Sequence, residues 1–445
     1  MEGFINLALL EQSSQIPKDL QLPEAFERRM KQTLGAEFER FRQALATPSP
    51  TSIRVNLLKH LPVSEAEGVP WCSTGFYLKE RPVFTLDPHF HAGAYYVQEA
   101  SSMFLEQVVK ASVDLRKPVR VLDLCAAPGG KSTHLLDMIS SDSLLVSNEV
   151  IKTRASILSE NIQKWGRANV VVTNNDPEGF GHLAGFFDLV VVDAPCSGEG
   201  LFRKDEAAIQ EWSEDNVRLC SLRQRRILSD IWPALKENGV LIYCTCTYNE
   251  AENEDNLFWL SQQKNVEFIE KGKRFMPHEI NGEGFFISAI RKRSTEAPKR
   301  TKSSSLKRSK NTPAWLNGDF SVFELNELLI AMPSALVDDI LQLSPLNIVT
   351  RGVAVGTVMR NKVIPEHSLA MSLSLHPDAF PVIDVEKEEA LKYLAKETIE
   401  PRDAERGFAL IRYQGNYLGF VNRLGNRLNN LYPPNWRIRM SIKSP

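Results

Sequence analysis

The sequence has no long apolar run. In 445 residues none approaches the ~20 that a membrane-spanning helix needs, so such a helix is excluded. Cysteine is scarce: six in the whole chain are too few for a disulfide framework. Thiols so used suit a reducing cytoplasm, where each is buried, metal-binding or catalytic. Net charge is nearly absent at −2, so the total points to no particular partner. The first twenty residues lack a basic segment and a small-residue cleavage site, and no secretion signal is expected. Internal repeats are missing, and so is Gly-x-Gly-x-x-Gly, which removes a dinucleotide fingerprint.

What is present is a chain long enough for about three domains. Residues 1–110 read as an N-terminal module, with a helical region over Pro23–Leu45 and the alternating run "TSIRVNLLK". Over 111–293 the pattern becomes strand, helix, strand, helix. The strand candidates are "VRVLDL", "LLVSNE", "NVVVTN", "FDLVVVDA", "GVLIYCT", "VEFIEK" and "GFFISAIRK", and a helix is expected over Asn216–Lys236. Continuous apolar strands alternating with helices predict an α/β fold, a parallel sheet covered on both faces. Residues 294–313 are rich in Ser, Lys and Arg and read as a basic linker. Blocks at 314–375 and 376–445 read as small C-terminal α+β domains. Arg291 to Lys310 holds nine Lys/Arg and one acid, and Gly407 to Pro445 holds six Lys/Arg and none. Such local basic tracts are what a polyanion needs.

"VLDLCAAPGGKSTHLL" runs from a strand through a small-residue turn into a helix. Its GGKST fails as a phosphate loop, because Cys125 stands where the first glycine belongs. What remains is a tight turn in which Gly129 and Gly130 let backbone approach a ligand. Acids close the following strands: Glu149, Asp176 and Asp193. A glycine turn followed by strand-end acids, at the carboxyl edge of a parallel sheet, is the layout of an S-adenosylmethionine site. Each acid alone is more often a helix cap.

"DLCAAPGGKSTHLL", "DAPCSGEG" and "YCTCTYNEAENE", with "IRVNLLK" and "YYVQEASSM" upstream, resemble the Sun family of RNA (cytosine-C5) methyltransferases. The C-terminal extension resembles that of the bacterial 16S rRNA members, whose last domain is PUA-like. The resemblance covers nearly the whole chain and is strongest over about 90–293. It implies a Rossmann-like methyltransferase sheet, an N-terminal RNA-binding module, S-adenosylmethionine held by Cys125, Ala126, Ala127, Pro128, Gly129, Gly130, Lys131, Glu149, Asp176 and Asp193, and an rRNA or small-subunit partner. It further implies that Cys246 is the nucleophile and that Cys196 aids product release. Asp193 would hold the cytosine edge, and Lys131 is a candidate to help Cys246 ionise. The enzyme is expected to be a cytoplasmic monomer.

The chemistry suits two thiols. A thiolate adding to C6 makes C5 enamine-like and able to take a methyl group; a base must then remove the C5 proton so that the thiol can leave. Competing readings are a DNA cytosine methyltransferase, which attacks with the Pro-Cys cysteine, a tRNA substrate, and a non-catalytic ribosome-assembly factor. Cys244 departs from the family, which more often has serine there. A Cys244-x-Cys246 zinc pair lacks a partner pair, so no metal is expected. Cys72 and Cys220 read as structural. Arg203 and Lys204 are candidates for phosphate contact. Arg412, Arg423, Arg427, Arg437 and Arg439, interleaved with Tyr413, Tyr417, Tyr432 and Trp436, are candidates for RNA contact, with about half the aromatics expected in a core.

Overall fold

The computed structural model describes residues 20–62, 66–294, 306–309, 313–360, 362–400, 406–425 and 427–442. At the amino end the expected helical region is two helices. The first, α1 (Glu24–Leu34), buries Phe26 and Met30 and stops at Gly35, whose φ of +52° ends the run. The second, Phe38–Leu45, buries Phe38, Phe41 and Leu45. A small antiparallel sheet follows, built from Thr51–Val55, Glu67–Gly68, Gly75–Leu78 and Tyr95–Val97.

The central sheet has eight strands. They are β1 (Arg120–Asp123), β2 (Leu144–Asn148), β3 (Val170–Thr173), β4 (Phe187–Asp193), β5 (Leu235–Thr245), β6 (Val266–Phe275), β7 (Phe285–Lys292) and β8 (Ile348–Arg351), in the order β6-β7-β5-β4-β1-β2-β3-β8. The five strands β3, β2, β1, β4 and β5 are parallel. Their unbroken apolar runs split by period two. Val190, Val192, Leu241 and Tyr243 enter one core with Trp232, while Leu189, Val191, Ile242 and Cys244 enter the core on the opposite face. Each such side chain contributes about 1.5–3 kcal/mol by leaving water. Crossover helices α2 (Gly130–Met138), α3 (Lys152–Trp165) and α4 (Glu214–Ile231) connect the strands. The chain order reverses between β1 and β4, and a ligand crevice is expected at their carboxyl ends.

Three expectations need correction. The long helix starts at Glu214, capped by Ser213, and ends at Ile231 rather than Lys236, because Pro233 cannot continue it and Leu235 opens β5. The region 314–375 is no free-standing block: its β8 pairs antiparallel with β3 and covers what would be an exposed sheet edge. The basic tract is partly absorbed into the fold. Arg291 and Arg293 donate to Asn238, Arg293 also pairs with Glu267, and Lys292 is buried with its Nζ on the carbonyls of Trp232 and Leu235. Lys307 and Ser309 pair along Phe320–Leu325, while the remainder of the expected linker, 295–305 and 310–312, lies outside the described residues.

A four-stranded antiparallel sheet from Phe320 to Pro365 and a last sheet of Val382–Asp384, Gly407–Tyr413, Asn416–Arg423 and Leu428–Asn430 complete the chain. Among the described residues no helix is long and apolar enough to cross a membrane.

Candidate active site

The glycine turn leaves β1 at Asp123 and enters α2 at Gly130. Gly129 has φ of +117°, and a Cβ there would lie 3.3 Å from Leu158 Cδ1. Asp123 is fully buried; Ser132 donates to its Oδ2 at 2.7 Å, and its Oδ1 has no partner. Burial, opposed by the Ser132 bond and reinforced by Asp193, raises its pKa to about 7. Glu149 follows β2, buried, with Oε1 accepting from Ile151 N and Oε2 3.5 Å from Arg154. An unpartnered oxygen on a buried carboxylate beside a glycine turn fits a ligand that donates hydrogen bonds. Asp176 is set differently: it lies three residues beyond β3, caps the next turn by accepting from Glu178 N, and pairs with Arg226 at 3.0 Å.

Asp193 ends β4 and is in register with Cys244 of β5. Lys131 Nζ, from the first turn of α2, donates to Asp193 Oδ2 at 2.7 Å. Burial alone would lower the lysine's pKa, but the Asp193 carboxylate keeps it above its ordinary value. The two motif cysteines leave adjacent strands and converge: Cys196 Sγ and Cys246 Sγ are 3.2 Å apart, both partly exposed. The loops carrying them are tied together. Gly200 N donates to Cys246 O at 2.8 Å, and Ser197 Oγ meets Thr247 Oγ1 at 3.1 Å.

The pair is electrically unequal. The hydrogen bond with Cys196 lowers the pKa of Cys246; burial and Asp193 oppose this, and Lys131 and Lys204 assist it. Cys196 is pushed up by that same bond, by burial and by Glu252. The charges around the pair favour ionisation at Cys246 over Cys196.

The other cysteines stand apart. β5 ends at Thr245, so Cys244 stays in the core while Cys246 lies beyond the strand. Burial raises the pKa of Cys244, Cys125, Cys72 and Cys220. Cys72 Sγ, Glu106 and His134 Nε2 form the one grouping of metal-type donors among the described residues. His134 Nε2 lies 3.1 Å from Glu106 Oε2 and 3.7 Å from Cys72 Sγ, distances at which hydrogen bonds account for the grouping.

Arg203 corrects an expectation. It is buried and donates to Thr47 O, Thr47 Oγ1, Pro48 O and Gly282 O, so it braces loops and meets no phosphate, while Lys204 is exposed. In the last domain Arg423, Tyr413 and Tyr432 are buried, Arg412 pairs with Asp384, and Arg427, Arg437 and Arg439 are exposed. Sequence reasoning missed Asp123, Glu199 and Glu252. All three stand inside the quoted motifs, but an acid in a motif declares no partner until the chain is folded.

This geometry meets three independent likenesses. A family model described as 16S rRNA methyltransferase RsmB/F matches residues 111–291; the N-terminal domain of 16S rRNA methyltransferase RsmF matches 22–100, and the methyltransferase RsmF PUA domain matches 380–438. Ribosomal RNA small subunit methyltransferase F of Shewanella loihica is 30% identical over 441 residues, spanning 87% of this chain and 89% of that one. The chain belongs to the RsmB/F methyltransferase family. The Escherichia coli K12 relative of the same description is 29% identical over 467 residues, covering 92% of this chain and 95% of its own. Among solved structures, a methyltransferase homologue from Pyrococcus horikoshii is 28% identical with a TM-score of 0.54, covering 61% of this chain and 96% of that one. NSun6 from the same organism, solved with SFG, is 20% identical with a TM-score of 0.50 over 61% of this chain and 98% of its own, a likeness of fold. As an RsmB/F member the protein is an S-adenosylmethionine-dependent RNA methyltransferase with a Rossmann-like sheet and a C-terminal PUA domain.

Proposed function

We propose that the protein methylates C5 of a cytidine in 16S rRNA through a covalent Cys246–C6 adduct, with Cys196 aiding release of the product. The observation that carries this is the thiol pair: two cysteines 3.2 Å apart just beyond adjacent strands, among charges that favour ionisation of Cys246.

S-adenosylmethionine would lie along residues 125–131, with Glu149 and Asp123 as acceptors; bound there, it supplies an electrophilic methyl group. SFG, present in the solved NSun6 structure, is an analogue of it. The Cys246 thiolate attacks C6, and the electron density delivered to C5 makes that carbon the nucleophile. Asp193 holds the cytosine edge while remaining paired with Lys131. After methyl transfer a base takes the C5 proton, the C6–S bond breaks, and Cys246 regains its thiolate, with Cys196 supporting this release. The target base must be unpaired or flipped to reach thiols set below the loops. Exposed Arg427, Arg437 and Arg439 would hold phosphate on the PUA-like side. A cytoplasmic site of action follows from the substrate.

The test is methylation of naked 16S rRNA and of assembled small subunits with labelled S-adenosylmethionine, read on a denaturing gel. Wild type should methylate, and Cys246→Ala should not. Cys196→Ala should remain covalently trapped on RNA. An active Cys246→Ala with a dead, adduct-free Cys196→Ala would reverse the two roles.

A further inference from the structure

The loop of Cys196 rests on a buried acid. Glu252 closes the short 3-10 turn Glu250–Glu252 after the Cys246 loop, and its side chain is completely buried. Both carboxylate oxygens lie 3.0 Å from Ser197 N, the amide that follows Cys196. The backbone of Glu252 is equally fixed, because its carbonyl accepts from Tyr243 Oη at 2.6 Å and from Asn256 Nδ2 at 3.2 Å. The cation that bears on the carboxylate, Arg29, is already spent on Glu199. A carboxylate buried next to a thiol disfavours thiolate there.

We propose that Glu252 is a positioning residue that fixes which of the two thiols keeps the shared proton. This rests on the reading of Cys246 as nucleophile. The pair loses one proton to solvent. The other stays on Cys196, on the side of the anionic Glu252, and its S–H donates to the Cys246 thiolate on the side of Lys131 and Lys204. The charged and titratable groups around the pair are Lys131 from α2, Asp193 from β4, Tyr243 from β5, Lys204 and Glu199 from the Pro-Cys loop, Glu252 from the turn, Arg29 from α1, and Cys220 and Arg223 from α4. Of these, Glu252 is the carboxylate that bears on Cys196 and bonds its neighbouring amide, while Lys131 and Lys204 bear on Cys246 and Arg29 on Glu252.

The arrangement also makes the bias depend on pH. Burial raises the Glu252 carboxyl to about 7. Below that it is neutral and its hold on the proton's position weakens; above it the charge sharpens the preference for thiolate on Cys246.

The experiment is alkylation of the full-length enzyme with iodoacetamide, without RNA, between about pH 6 and 9. Modified Cys196 and Cys246 peptides are counted by mass spectrometry. In wild type the Cys246-to-Cys196 ratio should rise about tenfold through neutrality. In Glu252→Gln, which keeps an acceptor for Ser197 N, the ratio should stay low and flat, and Cys196 should react about tenfold faster at pH 8. A wild-type ratio flat from pH 6 to 8 overturns the proposal without reference to any variant. So does a Glu252→Gln ratio that follows the wild-type curve. Because no RNA is present, the labelling answers separately from methylation: loss of methyl transfer to any RNA would sink the functional reading and leave these ratios standing.

Discussion

Arg29 of the first helix donates to Glu199 of the Pro-Cys loop at 2.6 Å, across 170 residues of sequence, and Glu199 is completely buried. The same carboxylate accepts from Trp212 Nε1 at 3.0 Å, from Asn249 Nδ2 at 3.3 Å and from Tyr248 N at 3.2 Å. One acid thus joins the N-terminal helix to the loops of both cysteines. Glu199→Ala should cost about 3 kcal/mol, since it strands four donors in a dry site. Arg29→Ala should cost about 1 kcal/mol, because Arg29 is part-exposed and Glu199 keeps its other three donors. Urea unfolding of the two variants gives the comparison; equal losses would mean that Glu199 is not the junction.

Gly200 is held by backbone on two sides. A Cβ there would stand 2.5 Å from Gly284 O and 2.8 Å from Cys246 O. Gly200→Ala must therefore push the Cys246 carbonyl away. The expected cost is about 1–3 kcal/mol, with methyl transfer falling more than stability does. Activity measured well below the melting temperature separates the two effects, and normal turnover would show that the loops yield without moving the thiol.

Lys131 favours the Cys246 thiolate. Lys131→Met should raise the pH midpoint of Cys246 alkylation by about one unit and cut activity near pH 7 about tenfold, with partial recovery near pH 9. An unmoved midpoint would assign Lys131 to Asp193 alone.

Asp123 keeps its proton to about 7 in the fold, against 3.8 for the ordinary carboxyl. A raised acid contributes stability that is present in full below the unfolded value and is lost as pH rises through the folded one. Asp123→Asn retains the acceptor for Ser132 and cannot ionise. Relative to that variant, the wild type should lose on the order of 2–4 kcal/mol of unfolding free energy between about pH 4 and 8. Urea titrations at both ends of the range decide it, and a constant difference would mean that Asp123 does not change charge there.

The α/β pattern, the glycine turn and the two cysteine motifs were legible because each is local. Apolar runs such as "FDLVVVDA" can only be strands buried on both faces, and small residues at 126–130 can only make a tight turn. Other features were not. "NIVTR" is too short to announce β8, and its partner β3 lies about 175 residues upstream. Arg203 reads as a solvated cation until Thr47, Pro48 and Gly282 surround it. Lys292 reads as part of a basic tract until Trp232 and Leu235 take its charge.

By itself, then, the sequence determined which residues could do chemistry, since side-chain type and spacing along a strand or turn depend on near neighbours. Only the tertiary structure decided which of them meet and which charges surround them. Whether a thiol carries a proton depends on charges brought from distant parts of the chain. Here Lys131 bears on Cys246 and Glu252 on Cys196, and folding alone sets their distances.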